Sequence, residues 1–252
     1  MSFSHVFLTR PQTQSGELAA MVETLGLEAV IQPAFSFSAV DLAEEQAHDL
    51  ADLQAATAED LVLFTSPRAV EHAVSQIPPG VLPRLRVAAI GPSTAKALAN
   101  SGIRVDTSPG KGYTSEDLLD TLAQESGTAG QRQAFIMAAP GGRKKLAKGL
   151  GKLGWNARML MVYRSDPMPL DREALQRLQD AQGILSVWTS GNAMRALSQR
   201  LPPKVWFRVC QGHWLVISNR LKRLARAYGP AEVHLSGAPD NHAILTAIRN
   251  LT

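Results

Sequence analysis

Short apolar, β-branched runs alternate with longer segments of helical period from one end of the chain to the other. This alternation constrains the fold more than any other feature of the sequence. The runs fall at 5–9, 28–32, 61–64, 86–90, 103–106, 133–138, 157–163, 184–188, 214–217 and 232–235. Between them apolar residues return at three- and four-residue spacing, as in Leu18, Met21, Val22 and Leu25, or Leu146, Leu150 and Leu153. Gly26, Gly102, Gly154 and Gly229 follow four of these segments, where a helix ends most easily on a residue free to adopt positive φ. Strand followed by helix, many times over, predicts an α/β fold with parallel sheets covered by helices on both faces.

The pattern also repeats itself. Leu63-Phe64-Thr65-Ser66-Pro67-Arg68-Ala69-Val70 is similar to Val187-Trp188-Thr189-Ser190-Gly191-Asn192-Ala193-Met194, and Ile90-Gly91-Pro92 to Ile217-Ser218-Asn219. Leu8-Thr9-Arg10-Pro11 lines up with Met137-Ala138-Ala139-Pro140. The three pairs are each separated by about half the chain, as expected of a duplicated α/β unit of roughly five strands. A chain of 252 residues is long enough for two such units, each with its own core.

Helix N-termini in open α/β sheets present free N–H groups and partial positive charge, so ligands collect where strands end and helices begin. These junctions read Thr9-Arg10-Pro11, Thr65-Ser66-Pro67-Arg68, Gly91-Pro92-Ser93-Thr94, Thr114-Ser115, Pro140-Gly141-Gly142-Arg143, Thr189-Ser190-Gly191-Asn192 and Ser218-Asn219-Arg220. All are small, hydroxylic, Gly/Pro or cationic residues, and none of the seven carries a carboxylate. Any one of them is an ordinary helix cap. Seven together, four of them with an arginine, point to a small polyanionic ligand held at several places.

Other chemistries are excluded residue by residue. Gly149-Leu150-Gly151-Lys152-Leu153-Gly154 spells G-x-G-x-x-G but leads from helix to strand, the reverse of a dinucleotide fingerprint. Lys111 lies between Gly110 and Gly112, which breaks a P-loop, and no serine stands in G-x-S-x-G. The six histidines form no H-E-x-x-H, and Cys210 with His213 is a lone pair read as packing, so no metal site is expected. The single cysteine rules out an internal disulfide. A net charge of +4 is too small to mark a nucleic-acid footprint unless it clusters, and the run Arg143-Lys144-Lys145-Lys148 has no interleaved aromatics for stacking. No apolar run approaches the roughly 18 residues of a membrane span, and Met1–Arg10 lacks a signal-peptide stretch, so a cytoplasmic protein is expected.

Several stretches also occur in a telling order: Leu8-Thr9-Arg10-Pro11, Phe64-Thr65-Ser66-Pro67-Arg68-Ala69-Val70, Ala89-Ile90-Gly91-Pro92-Ser93-Thr94-Ala95, Thr114-Ser115-Glu116-Asp117-Leu118-Leu119, Val162-Tyr163-Arg164, Trp188-Thr189-Ser190 and Ser218-Asn219-Arg220-Leu221. Over essentially its whole length the chain resembles the uroporphyrinogen-III synthase family. The resemblance implies two doubly wound, flavodoxin-like α/β domains that are not sequential halves. One comprises residues 1–35 plus 165–252, the other 36–164 with a hinge strand at 157–164. Glu28–Pro33 and Ala157–Arg164 would be the two connecting strands, and the active site would lie in the cleft above them.

The implied reaction is cyclisation of hydroxymethylbilane, a linear tetrapyrrole, to uroporphyrinogen III, with loss of water and inversion of the terminal pyrrole. No cofactor is implied, and nothing requires more than a monomer. By motif, Tyr163 is the hinge tyrosine and candidate general acid, while Ser66, Thr94, Ser190 and Ser218, with Arg10 and Arg220, would bind carboxylates. The junctions add Ser115, Arg143 and Asn192 as candidate contacts. Where some members repeat Gly-Pro-Thr-Thr in the second half, this chain has Ser218-Asn219-Arg220-Leu221, so that a charge replaces hydroxyls. Two other readings stay open: a two-lobed small-molecule anion-binding protein without catalysis, and a regulator that binds nucleotide or nucleic acid.

Overall fold

The computed structural model describes residues 3–112, 114–125, 132–140 and 144–252. The chain opens with β1 (His5–Leu8), α1 (Gln12–Glu23) and β2 (Glu28–Ile31), then runs through β3 (Phe35–Ala39). There follow α2 (Leu42–Glu45), α3 (Ala47–Ala55), β4 (Leu61–Phe64), α4 (Pro67–Val74), β5 (Arg86–Ala89), α5 (Pro92–Asn100), α6 (Ser115–Glu125), β6 (Arg132–Ala138), α7 (Lys144–Lys152) and β7 (Trp155–Met161). After β8 (Tyr163–Pro167) come α8 (Arg172–Asp180), β9 (Ile184–Trp188), α9 (Gly191–Arg200), α10 (Pro203–Gln211), β10 (His213–Val216), α11 (Asn219–Arg226), β11 (Glu232–Leu235) and α12 (Asn241–Arg249). Two compact units result: residues 1–36 with 166–252, and residues 37–165.

The first unit is built on a five-stranded parallel sheet in the order β11-β10-β9-β1-β2. Its inner strands β10, β9 and β1 are buried on both faces, which is why they read as unbroken apolar runs and not as alternation. In β9, Ile184 and Trp188 point to one side, where α8 to α11 pack, while Leu185 and Val187 point to the other, where α1 and α12 pack. The second unit has the parallel order β5-β4-β6-β7. Val62, Phe64, Phe135 and Met137 bury one face of it, and Leu61, Leu63, Ala134 and Ile136 the other.

The two strand orders correspond, with β9, β10, β1 and β2 matching β4, β5, β6 and β7. This is the pairing the internal repeats imply. Gly102 and Gly229 end the matched helices α5 and α11 at φ +73° and +72°, a conformation in which a side chain would be strained.

Three expectations need correction. The run 103–106 is no strand: the Asp106 carboxylate accepts the Val87 N–H at 2.9 Å, and only an isolated parallel bridge, Ala88 to Thr107, continues the sheet. That bridge stands where β11 stands in the other unit. The run 157–163 is two strands, because the β6 ladder ends at Val162: its N–H still donates to the Ala138 carbonyl at 3.0 Å, while its own carbonyl accepts from Val40 N. Finally, 28–31 and 155–161 lie within the two large sheets, and the chain passes between units in the next strands, β3 and β8, which pair in a two-stranded ribbon. Sequence periodicity missed β3 because Phe35-Ser36-Phe37-Ser38-Ala39 is mostly exposed and contributes little to either core. Among the described residues no helix is long and apolar enough to cross a membrane.

Candidate active site

In a doubly wound sheet the crevice for a ligand opens where the strand order reverses direction, beyond the carboxyl ends of the strands. That point lies between β1 and β9 in the first unit and between β4 and β6 in the second. Both are fastened in the same manner. Thr9, just past β1, donates its hydroxyl to the Val187 carbonyl of β9 at 2.8 Å, and Thr65, just past β4, donates to the Met137 carbonyl of β6 at 2.8 Å. Neither threonine was singled out as a site residue; each holds its switch point in shape.

In the first unit, three adjacent strands deliver the candidate residues to one edge. Arg10 follows β1, Ser190 and Asn192 follow β9, and Ser218 and Arg220 follow β10. Ser190 caps α9 by accepting the Ala193 N–H at 3.4 Å, and Ser218 caps α11 by accepting from Leu221 at 3.3 Å. Each hydroxyl spends a lone pair on its helix and retains its proton to donate outward. Asn192 and Arg220 lie exposed in the first turns, where backbone N–H groups have no intrahelical acceptor.

Arg10 is half-buried and donates from Nη1 to Asn241 Oδ1 at 3.0 Å. Burial lowers its pKa, and the nearby Asp240 carboxylate opposes that shift. Asp240 is the cap of α12, so the β11–α12 junction brings a carboxylate to this edge that the seven junctions read from the sequence did not contain.

In the second unit Ser66 caps α4, accepting from Ala69 at 3.1 Å. Thr94 is buried in the first turn of α5, and Ser115 is buried at the start of α6. Arg143 lies outside the described residues. Tyr163, at the start of β8, is half-buried and stacks on His72 with ring centroids 5.5 Å apart. Phe37 of β3 tilts against the same tyrosine at 6.1 Å, and the Arg68 guanidinium lies 3.4 Å above the Phe37 ring. Arg68 and His72 are four residues apart on α4 and therefore share its face.

Burial lowers the Arg68 pKa, while Tyr163 and Glu71 act on it in the opposite sense. A cation partly stripped of water, over an aromatic ring and beside a phenol, favours an incoming anion. The helix that begins at a switch point thus meets the tyrosine through His72, one turn beyond Arg68. The i, i+4 spacing of Arg68 and His72 was the signal available for this; Phe37 was hidden because β3 was not recognised.

Capping and ligand contact can be separated experimentally. Ser218→Ala is expected to lower the stability of the first unit by about 1 kcal/mol through loss of the cap, and Ser218→Gly by only a few tenths. Urea unfolding of both variants checks this, and equal losses would show that the hydroxyl is not capping. Cys210 offers no competing nucleophile, since burial pushes its thiol pKa up and keeps it protonated.

Comparison with known proteins agrees with this architecture. Residues 16–245 match the family model described as uroporphyrinogen-III synthase HemD. The chain is 32% identical over 255 residues to the uroporphyrinogen-III synthase of Escherichia coli, covering 97% of this chain and 99% of that one. It is 33% identical over 181 residues to a putative uroporphyrinogen-III synthase of Methanothermobacter thermautotrophicus, covering 69% and 66%. Among solved structures, a mutant uroporphyrinogen III synthase from Thermus thermophilus shares the fold with a TM-score of 0.68 at 20% identity over 98% of both chains. The family model spanning residues 16–245 and 32% identity over nearly the full length of both chains together establish that the chain belongs to the uroporphyrinogen-III synthase family.

Proposed function

We infer that the protein is a cyclising lyase that closes hydroxymethylbilane to uroporphyrinogen III, losing water and inverting the terminal pyrrole through a spiro intermediate. The observation that carries this reading is the repeated strand-end chemistry. Hydroxyl protons, first-turn amides and half-buried arginines recur at both switch points, where a ligand bearing eight carboxylates needs many separated donors. The candidate carboxylate contacts are Ser66, Thr94, Ser115, Arg68 and Arg143 in one unit, and Arg10, Ser190, Asn192, Ser218 and Arg220 in the other.

Electron-rich pyrrole nitrogen expels the hydroxyl with little assistance, so the protein's main task is to hold one reactive conformer. Tyr163 donates a hydrogen bond to the departing oxygen. The enzyme works without a cofactor, as a monomer in the cytoplasm.

The direct experiment supplies hydroxymethylbilane and separates the isomers formed. The type III isomer should replace the type I isomer that arises spontaneously; type I alone would end this reading, and tight binding without turnover would favour the non-catalytic binding protein.

Arg68→Gln is expected to raise KM about 10- to 100-fold, the loss of a charge-assisted contact worth roughly 1.5–3 kcal/mol, with kcat changed far less. A variant with wild-type KM would show that Arg68 only covers Phe37.

A further inference from the structure

Strand pairing assembles a cluster that no spacing along the chain reveals. In the parallel register of β10 and β11, His213 stands opposite Glu232, and His234 is two residues beyond Glu232. Directly paired residues project from the same side of a sheet, as do residues two apart on one strand. All three side chains therefore rise from one face.

Their ligand atoms converge. His213 Nδ1 lies 3.2 Å from His234 Nε2, Glu232 Oε2 lies 3.3 Å from His234 Nε2, and Glu232 Oε2 lies 3.8 Å from His213 Nδ1. A triangle with these sides has a point about 2.0 Å from every corner, the distance at which zinc binds imidazole nitrogen and carboxylate oxygen. Two ligand atoms on a tetrahedral zinc are roughly 3.3 Å apart, close to the edges observed here.

We propose that His213, Glu232 and His234 form a binding site for a divalent transition-metal ion in the first unit. Two imidazoles and one carboxylate suit zinc, cobalt or nickel and not magnesium or calcium, which take oxygen ligands. The imidazoles are mostly covered, with side-chain exposures of 19% and 23%, while Glu232 is 45% exposed and leaves the remaining coordination positions open to water. His234 also borders a cavity of about 630 Å³ between β11 and α12, which gives a hydrated ion a way in.

His213 and Glu232 are the first residues of their strands, so the site lies at the opposite end of the sheet from Ser190 and Ser218. Its effect is structural: an ion there fastens the edge strand β11 to β10, and binding to the folded state alone raises stability.

The test titrates tag-free protein with Co²⁺ alone and follows visible absorption, then adds Zn²⁺. One Co²⁺ per chain should bind, be displaced by Zn²⁺, and raise the unfolding temperature. Glu232→Gln, at an exposed position that does not threaten folding, and His234→Ala should each weaken Co²⁺ binding by about tenfold or more, since each removes one of three ligands. Binding that stays unchanged in both variants, or no saturable binding below millimolar metal, would overturn the site and leave the two histidines as a hydrogen-bonded pair. Cyclisation by Glu232→Gln should equal that of wild type, so the result stands apart from any test of the active site.

Discussion

Replacing Tyr163 by phenylalanine will lower kcat about a hundredfold and leave KM nearly unchanged, the low end of what a positioned proton donor contributes. The substitution is chosen for what it keeps. The phenyl ring retains the stack on His72, the contact with Phe37 and the packing against the second unit's core, so only the hydroxyl is lost. Uniform substrate binding rests on the carboxylate contacts, which the ring does not make.

Tyr163→Ala would remove packing as well and report on two things at once. The measurement is the initial rate of type III isomer formation at saturating and limiting hydroxymethylbilane. A rate within twofold of wild type would reduce Tyr163 to a packing residue and leave catalysis to conformer selection alone. Arg68 provides an internal comparison. It sits over the ring next to the tyrosine, yet its loss should appear in KM and not in kcat. If both variants changed KM alone, the aromatic cluster would be a binding surface with no proton donor in it.

Sequence reading reached the fold because the forces that specify it are local or periodic. Strands buried on both faces write continuous apolar runs, and helices between them write a period near 3.6. Boundaries failed where burial failed: β3 and β8 form an exposed ribbon, and an exposed strand needs no apolar pattern. The candidate site divides the same way. Ser66, Ser190 and Ser218 announce themselves because capping demands a hydroxyl at a fixed place relative to a helix.

The neighbours of Tyr163 do not, since His72, Arg68 and Phe37 meet it through packing between elements separated in the chain by tens of residues. Arg10 illustrates the converse. Its position was legible, but its tether to Asn241 and the nearby Asp240 depend on β11 and α12 arriving at the same edge. The histidine cluster was invisible for the same reason: only the register of two strands brings its members together.

Trp188→Ala should destabilise the first unit by about 3–5 kcal/mol, enough to unfold much of it near 37 °C. Trp188 ends β9 with its side chain fully buried, 4.8 Å from Trp214 and 5.8 Å edge-on to Phe7, with Trp206 at 6.3 Å. Tyr228 closes the cluster against Trp206 and Trp214. With its rings interlocked in this way, the cluster leaves the neighbouring helices little freedom to collapse into the space an indole leaves.

The consequence reaches the site because Thr189 and Ser190 follow immediately: the strand end that presents Ser190 is held by the residue that packs beneath it. Trp188→Phe is the informative partner. The buried Trp188 Nε1 has no hydrogen-bond partner, unlike that of Trp214, which donates to the Val209 carbonyl at 3.0 Å. Phenylalanine removes that unpaired donor while keeping most of the ring, so its cost should fall below about 1.5 kcal/mol. Trp206 and Trp214 lie in this unit and Trp155 in the other, so tryptophan fluorescence during urea unfolding follows the first unit mainly. Equal losses for Ala and Phe would mean that the indole N–H, and not the volume, is what the cluster requires.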